Sequence, residues 1–205
     1  MNYRHVYHAG NFADVLKHAL LCRIIAHLQR KETPVRIIDT HAGMGLYDVS
    51  GVAANKTGEW KDGIGRLSGA SLPPEVRDCL APYLAIVEPM MAGTPPVYPG
   101  SPMIALAMLR TQDRLVCIEK HPDDLRRLKG ALAGDRRAKA LELDGWMAWN
   151  AQVPPPERRG LVLVDPPFEE GDDFARMADG LAQAHRKWSG GTTMLWYPVK
   201  DPRAV

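Results

Sequence analysis

The chain has 205 residues, a formal net charge of +2 and 45% hydrophobic residues. These values suit one globular domain, or one domain with an insertion, and exclude disordered and collagen-like chains. Its longest nearly unbroken apolar stretch, 103–109, is far shorter than the ~20 residues that span a bilayer, and the N-terminus lacks the apolar core of a signal peptide. We therefore expect a cytoplasmic protein that does not bind a membrane.

The cysteines and the paired histidines give little support to a metal site. Cys22, Cys79 and Cys117 are widely separated and form no Cys-x-x-Cys pair, which argues against disulfides and structural zinc. His5 and His8 are close in sequence, but no acid or cysteine completes a ligand set around them. We predict no metal, and we predict that the cysteines are small buried hydrophobes.

Positive charge is concentrated in particular segments. One cluster lies within 126–139, another is Arg158 with Arg159, and a third lies in the first thirty-one residues. Solvated helix faces are the ordinary explanation for such runs. The alternative is that the basic segment 126–139 contacts nucleic-acid phosphates, in which case affinity for the nucleic acid would fall steeply with salt.

The first predicted element is a helix over 11–30, where apolar residues recur at three- and four-residue steps. Asn11 or Asp14 would cap it. The β-branched run 35–39 then forms a strand that stops in the glycine turn 40–45. The predicted buried face of the helix is Val15, Ala19, Cys22 and Ala26, flanked by Leu16, Leu20, Ile24 and Leu28.

Glycine and proline become frequent from about Tyr47 to Gly100, so we interpret 47–100 as an inserted, mainly helical subdomain within a single domain over 1–205. Inside it, 74–87 is typical of a helix. Another helix follows, with Ser101 predicted as its N-cap and Pro102 at its first position.

Strands and helices alternate through the rest of the chain. This alternation predicts a mainly parallel, doubly wound α/β sheet of five strands. The run 160–165 is almost continuously apolar, as expected for a strand covered on both faces. The predicted strands are 115–119, 138–143, 160–165 and 192–197, and the predicted helices are 122–132, 146–152 and 172–188.

Polar residues gather where the predicted strands end. Ligands of an open parallel sheet bind beyond the carboxyl ends of its strands, so four consecutive strand ends should form one crevice. His18 and His41 are candidates to face it. The strand-end residues are Asp39, Thr40, His41 and Gly43, then Glu119, then Asp144 and Gly145, then Asp165.

The glycine turn favours a nucleoside cofactor without a diphosphate. Gly43 and Gly45 allow the backbone to approach a ligand at a strand-to-helix junction, although a purely structural turn is an equal alternative. Asp48 stands where the dinucleotide fingerprint requires its third glycine. Glu119 is placed to accept ribose hydroxyl groups, and its alternative is an ordinary surface acid.

The most specific motif is Asp165-Pro166-Pro167-Phe168. The Asp165 carboxylate and the Pro166 carbonyl can each accept an N–H from an exocyclic nucleobase amine, which directs the nitrogen lone pair at an electrophilic methyl group. Pro167 stiffens the loop, and Phe168 offers a stacking face for a base that has left its helix. The alternative is a proline turn after a buried strand, but the position downstream of a glycine turn favours methyl transfer.

Blocks spread over the whole chain closely resemble the bacterial ribosomal RNA large-subunit methyltransferase J family. The resemblance implies a Rossmann-like class I fold and S-adenosylmethionine-dependent methylation of the N6 amine of one adenine in 23S ribosomal RNA. We expect the substrate to be protein-free RNA or an early assembly intermediate, and the protein to be a monomer. The blocks are 3–5 with 8–11, 13–18, 39–43, 98–102, 144–145, 165–167 and 195–198.

The resemblance also implies residue roles. Asp165 would be catalytic, with Pro166 and Phe168 beside it, and Tyr3 and Arg4 of the first block would contact RNA. Relatives often have tyrosine at position 168, and we expect phenylalanine to support activity because stacking needs only the ring. The implied cofactor contacts are His18, His41, Gly43, Ser101, Glu119, Asp144, Gly145 and Asp165.

Two other functions remain open from the sequence. One is a DNA adenine-N6 methyltransferase, although no target-recognition domain is evident. The other is a catalytically inactive RNA-binding protein with the same fold, against which the intact acidic strand ends argue. Methyltransferases of this architecture usually have two further strands, so we expect a C-terminally shortened chain with an exposed sheet edge beyond the fifth strand.

Overall fold

The strands of the protein form two sheets in its computed structural model, which describes residues 5–199. They are β1 (Arg36–Asp39), β2 (Leu46–Asp48), β3 (Val97–Pro99), β4 (Arg114–Ile118), β5 (Ala138–Leu141), β6 (Gly160–Val164) and β7 (Thr192–Leu195). A parallel sheet has the order β5-β4-β1-β6-β7, and β2 pairs antiparallel with β3. The predicted five-stranded parallel sheet is confirmed.

Helices cover both faces of the parallel sheet. They are α1 (Phe12–Leu28), α2 (Val52–Thr57), α3 (Ile64–Leu67), α4 (Pro74–Met91), α5 (Ser101–Met108), α6 (Pro122–Ala131), α7 (Gly145–Gln152) and α8 (Asp173–Lys187), with 3-10 turns at His5–Tyr7 and Glu59–Lys61. Between residues 5 and 199, no helix is long and apolar enough to cross a membrane.

Successive residues of β6 pack in two different hydrophobic clusters, one on each face of the parallel sheet. Leu161 and Leu163 of β6 pack in the cluster that contains residues of α1, α4, α5 and α6. Val162 and Val164 pack in a second cluster with residues of α7 and α8. Because both faces of β6 are buried, its sequence is continuously apolar, as a doubly wound sheet requires.

The buried face of α1 agrees with the predicted one only in part, since Ala19 and Cys22 are buried. Leu16 and Leu20 are 60% and 48% exposed, whereas the polar residues Asp14, Lys17 and His18 are buried. Apolar residues occur around most of this helix, so their spacing does not define one face. The polar residues are buried because each of them has a hydrogen-bonding partner, described below.

The segment 47–100 contains α2, α3 and α4, and its two ends meet through β2 and β3, where Tyr47 pairs with Tyr98. Three-residue strands are too short to show alternation in a sequence, so this pairing was not predicted. The glycine turn after β1 leads into β2, so the predicted strand-to-helix junction is wrong. The helix expected over 74–87 continues to Met91.

Two smaller predictions also need correction. Gly100, not Ser101, is the N-cap of α5, because the Ser101 hydroxyl donates to Asp39 Oδ2 at 2.7 Å instead of capping the helix. Cys22 and Cys117 are buried as predicted, but Cys79 is exposed. At α1 the predicted cap is correct for Asn11, whose side chain accepts from the Asp14 amide.

Two helical glycines offer a matched test of the packing. A Cβ at Gly180 would lie 2.6 Å from the ring of the fully buried Trp149, whereas a Cβ at Gly130 would meet nothing within 4 Å. Gly180→Ala should therefore lower the free energy of unfolding by about 1–3 kcal/mol, and Gly130→Ala should raise it by about 0.4–1 kcal/mol. Urea denaturation of both variants checks this, and equal effects would contradict the close contact of α8 with α7.

Candidate active site

A cavity of about 480 Å³ lies at the carboxyl ends of β1, β4, β5 and β6. Its volume is in the range of small-molecule sites. The structure brings most of the predicted site residues together in its lining. Those that line it are His18, His41, Gly43, Ser101, Glu119, Asp144, Gly145, Asp165 and Pro166.

Among the predicted site residues that the structure describes, Phe168 is not in this lining. Phe168 has a positive φ of 51° and its ring lies 5.0 Å from the ring of Phe174, so its predicted stacking face is not presented to the cavity. Its neighbour Pro167 lines the cavity instead. Tyr3 and Arg4 lie outside the described residues.

Glu119 is fixed by backbone amides at the end of β4. Its Oε2 accepts from the Gly43 amide at 2.8 Å and its Oε1 accepts from the His121 amide at 2.7 Å. Burial raises the pKa of Glu119, and the two amides oppose that rise. Gly43 has φ +63°, and a Cβ there would lie 2.3 Å from the Tyr47 hydroxyl, so the turn requires glycine.

Asp144 and Gly145 shape the neighbouring wall. Asp144 caps α7 by accepting from the Trp146 amide at 3.0 Å, and it accepts from Lys120 Nζ at 3.0 Å. Burial acts to raise the pKa of Asp144, but these donors lower it overall. A Cβ at Gly145 would lie 2.2 Å from the Thr40 carbonyl oxygen, so the start of α7 packs directly against the end of β1.

Asp165 is held by a lysine that sequence analysis did not select. Lys17 Nζ donates to Asp165 Oδ2 at 2.5 Å and lies 2.8 Å from Asp14 Oδ1. Asp14 Oδ2 accepts from the Gly10 amide at 2.9 Å and lies 3.0 Å from His5 Nε2. Helix α1 and the chain before it therefore fix the carboxylate at the end of β6.

The charges of this cluster stabilise one another. Burial acts to lower the pKa of Lys17, but the carboxylates of Asp14 and Asp165 raise it overall, so the ammonium persists at neutral pH. Burial acts to raise the pKa of Asp14, but His5, Lys17 and His18 lower it well below its usual range. The signal available in the sequence was an acid and a lysine three residues apart on one helix face.

Neutral polar groups surround the charged cluster. Burial lowers the pKa of His18 to about 3 and that of His41 to about 4, so both rings are neutral at pH 7. His18 Nδ1 is hydrogen-bonded to the Tyr98 hydroxyl at 2.7 Å. Burial raises the pKa of Asp39 to about 6, opposed by the hydrogen bond from Ser101.

The donor set is suited to an organic ligand. Across residues 5–199, no group of three or more histidine, cysteine or acidic side chains could hold a metal ion. The cavity instead offers carboxylates at separate strand ends, backbone amides and a proline-rich wall. Such a lining can hold a nucleoside through its ribose and base, and a second planar group beside Asp165.

Comparisons with known proteins indicate one family. The family described as "Ribosomal RNA large subunit methyltransferase D, RlmJ" matches residues 32–205. Two curated relatives, both named "Ribosomal RNA large subunit methyltransferase J", are from Escherichia coli (strain K12) and Haemophilus influenzae. They are 41% and 39% identical over 97% of this chain and 70% of their own length. A crystal structure from Legionella pneumophila has a TM-score of 0.86 at 34% identity, covering 96% of this chain and 72% of its own.

Proposed function

Because the chain belongs to the ribosomal RNA large subunit methyltransferase J family, we propose that it transfers a methyl group from S-adenosylmethionine to the N6 amine of one adenine in 23S ribosomal RNA. The observation that carries this proposal is the position of Asp165. Its carboxylate lines the cavity, is followed by Pro166 and Pro167, and is held at 2.5 Å by Lys17. The reaction would take place in the cytoplasm.

The cavity fits S-adenosylmethionine. Glu119 would accept the ribose hydroxyl groups, since both its oxygens are already oriented by the amides of Gly43 and His121. Asp144 and Gly145 would border the adenine, where the close contact of Gly145 with Thr40 leaves no room for a side chain. His18, His41 and Ser101 would complete the contacts as neutral polar groups. When bound, the cofactor supplies an electrophilic sulfonium methyl group.

Asp165 would orient the target amine. The exocyclic nitrogen of adenine is a weak nucleophile because its lone pair is delocalised into the ring. Accepting one N–H at the Asp165 carboxylate and the other at the Pro166 carbonyl favours a pyramidal nitrogen whose lone pair points at the methyl group. The reaction requires little acid–base chemistry, so this alignment supplies most of the rate.

Lys17 would position Asp165 rather than touch the base. The ammonium occupies Oδ2, so Oδ1 is the oxygen directed to the amine, and Asp14 fixes the ammonium from its other side. A buried ammonium between two carboxylates restricts the rotation of both of them. The target nucleotide must leave its helix or lie in a single-stranded region to reach this oxygen.

Cofactor binding should depend on Glu119. Glu119→Gln replaces one acceptor oxygen by an amide donor that would face the amide of Gly43 or of His121. We expect the Kd for S-adenosylmethionine to rise by roughly 10–100-fold, equivalent to the ~1.5–3 kcal/mol of a hydrogen bond to a charged group. Calorimetric titration measures this. The exposed Glu142→Gln is the control, and an unchanged Kd for Glu119→Gln would contradict the assigned ribose contact.

The proposed reaction is tested by labelled-methyl transfer to protein-free 23S ribosomal RNA, followed by mass-spectrometric mapping of its nucleosides. The expected product is N6-methyladenosine at one position. Transfer to DNA adenine in preference to RNA would support a DNA methyltransferase instead. Cofactor binding without transfer to any nucleic acid would support a catalytically inactive RNA-binding protein.

A further inference from the structure

We infer that the RNA flanking the target adenine lies on the face formed by residues 52–66, through contacts of its phosphates with Lys56, Lys61 and Arg66. This inference rests on the proposed function and names the surface that serves it. We call these residues the insertion face. It comprises α2, the 3-10 turn Glu59–Lys61 and α3.

The insertion face adjoins the cavity through the N-terminal segment. The Thr57 hydroxyl donates to the Tyr7 carbonyl, and the Ile64 amide donates to the Gly10 carbonyl at 2.9 Å. His5, two residues before Tyr7, lines the cavity. A strand whose base enters the cavity can therefore continue directly onto this face.

Three cations of the insertion face are available to phosphates. Lys56, Lys61 and Arg66 are exposed, and none of them forms an ion pair with any residue of the described range 5–199. Lys56 Nζ lies 5.6 Å from the centre of the Tyr7 ring, and Lys61 Nζ lies 6.0 Å from the centre of the Trp60 ring. Contact with a ring orients a lysine without neutralising it.

The insertion face carries more positive than negative charge. Glu59 is engaged by the N-terminal segment, since it lies 2.9 Å from His8 Nδ1 and accepts from Asn11 at 3.0 Å. Asp62 is its exposed acid. The face therefore presents three exposed positive charges and one exposed acid, Asp62, to solvent. This positive excess favours the binding of a polyanion.

The acidic part of the cavity rim is unsuited to a polyanion. It carries Glu169, Glu170 and Asp173, with Arg176 beside them. Arg176 lies 3.5 Å from Asp173 and stacks on the Trp146 ring, so its charge is partly balanced within the protein. Phosphates would be repelled from this rim and attracted to the insertion face.

The basic segment 126–139 is a poor alternative. Arg136 and Arg137 precede β5, so they lie at the amino edge of the parallel sheet, whereas the cavity lies at its carboxyl edge. Arg137 is paired with Asp135, and Arg126 with Asp123. The exposed cations there that form no ion pair with another described residue are Arg127, Lys129, Arg136 and Lys139. The last three of them match the insertion face in number and residue type.

This match gives a controlled experiment. We compare the triple variant Lys56→Ala, Lys61→Ala and Arg66→Ala with the triple variant Lys129→Ala, Arg136→Ala and Lys139→Ala. Filter binding measures affinity for protein-free 23S ribosomal RNA over a salt series, and labelled-methyl transfer gives KM and kcat. Calorimetry with S-adenosylmethionine and thermal melting report whether the cavity and the fold are intact.

For the insertion-face variant we expect RNA affinity to fall by about tenfold or more and the slope of log affinity against log salt to become shallower by roughly two to three. Its kcat at saturating RNA and its cofactor affinity should stay within about twofold of wild type, because none of the three residues lines the cavity. The control variant should match wild type.

Two results would overturn the inference. One is wild-type affinity and salt dependence in the insertion-face variant. The other is an equal or larger loss in the 126–139 variant, which would place the RNA at the opposite edge of the sheet. Because RNA binding is measured directly, an absence of methyl transfer by wild type would refute the proposed function and still leave this surface tested.

Discussion

Asp165→Asn is expected to lower kcat for methyl transfer by about 10²–10³-fold, the range found when one preorganised hydrogen-bonding group is removed from a reacting centre. Asparagine has the same shape but only one acceptor oxygen, and Lys17 Nζ, which lies 2.5 Å from Oδ2, would compete for it. The target amine would then face an amide N–H, which repels it. Single-turnover transfer to 23S ribosomal RNA measures the effect.

The matched control is Asp179→Asn, an exposed aspartate on α8. It removes the same charge at a distance from the cavity and should retain wild-type kcat. Thermal melting should show that both variants fold. Wild-type turnover by Asp165→Asn would remove this residue from the reaction and leave the Pro166 carbonyl as the remaining acceptor.

Lys17→Met is expected to lower the free energy of unfolding by about 3–5 kcal/mol at pH 7, the cost of removing one partner from a buried ion pair. The side chains of Lys17 and Asp14 are 5% and 3% exposed, so water cannot replace the missing ammonium. Activity should fall as well, since Asp165 loses the donor that orients it. Urea denaturation and single-turnover transfer measure the two effects.

The pH dependence of this loss has a defined sign. In the wild type, His5, Lys17 and His18 overcome burial and hold the pKa of Asp14 below its ordinary value of 3.8. A depressed carboxyl pKa contributes stability above the unfolded-state pKa, and that stability is lost as the pH falls through the folded-state pKa. The deficit of Lys17→Met should therefore be largest at neutral pH and shrink below about pH 4.

A second substitution distinguishes the lost charge pair from a packing defect. Adding Asp14→Asn to Lys17→Met removes a carboxylate that the single variant leaves buried without its ammonium. The double variant should recover part of the lost stability at pH 7. An additive loss would instead attribute the effect to packing of the lysine methylene groups.

The parts of the site that could be predicted are those tied to strand ends. A buried strand is recognisable from its own residues, and a parallel sheet places all carboxyl ends at one edge. Glu119, Asp144 and Asp165 could thus be assigned to a common crevice, although they are widely spaced in sequence. Ser101 was assigned to the site only through the family resemblance, and its hydrogen bond to Asp39 was not predicted.

Lys17 and Asp14 could not be predicted in the same way. Lys17 and Asp165 are separated by 148 residues, and no local pattern encodes their contact. Periodicity predicted an apolar buried face for α1, yet Asp14 and Lys17 are buried on this helix. Their burial is possible because Lys17 is bonded to the carboxylates of Asp14 and Asp165. Phe168 is a similar case, since it has a positive φ and its ring lies beside that of Phe174, and neither feature can be read from the sequence.

The pairing of β2 with β3 brings together the two ends of the segment 47–100. Leu46 pairs with Pro99, so the segment between them begins and ends at neighbouring positions in the structure. The path of the chain from β1 to α5 therefore does not depend on how many residues lie between Leu46 and Pro99. This segment can therefore change in length and sequence while the register of β1 with β4, and with it the cavity at the carboxyl ends of these strands, stays the same.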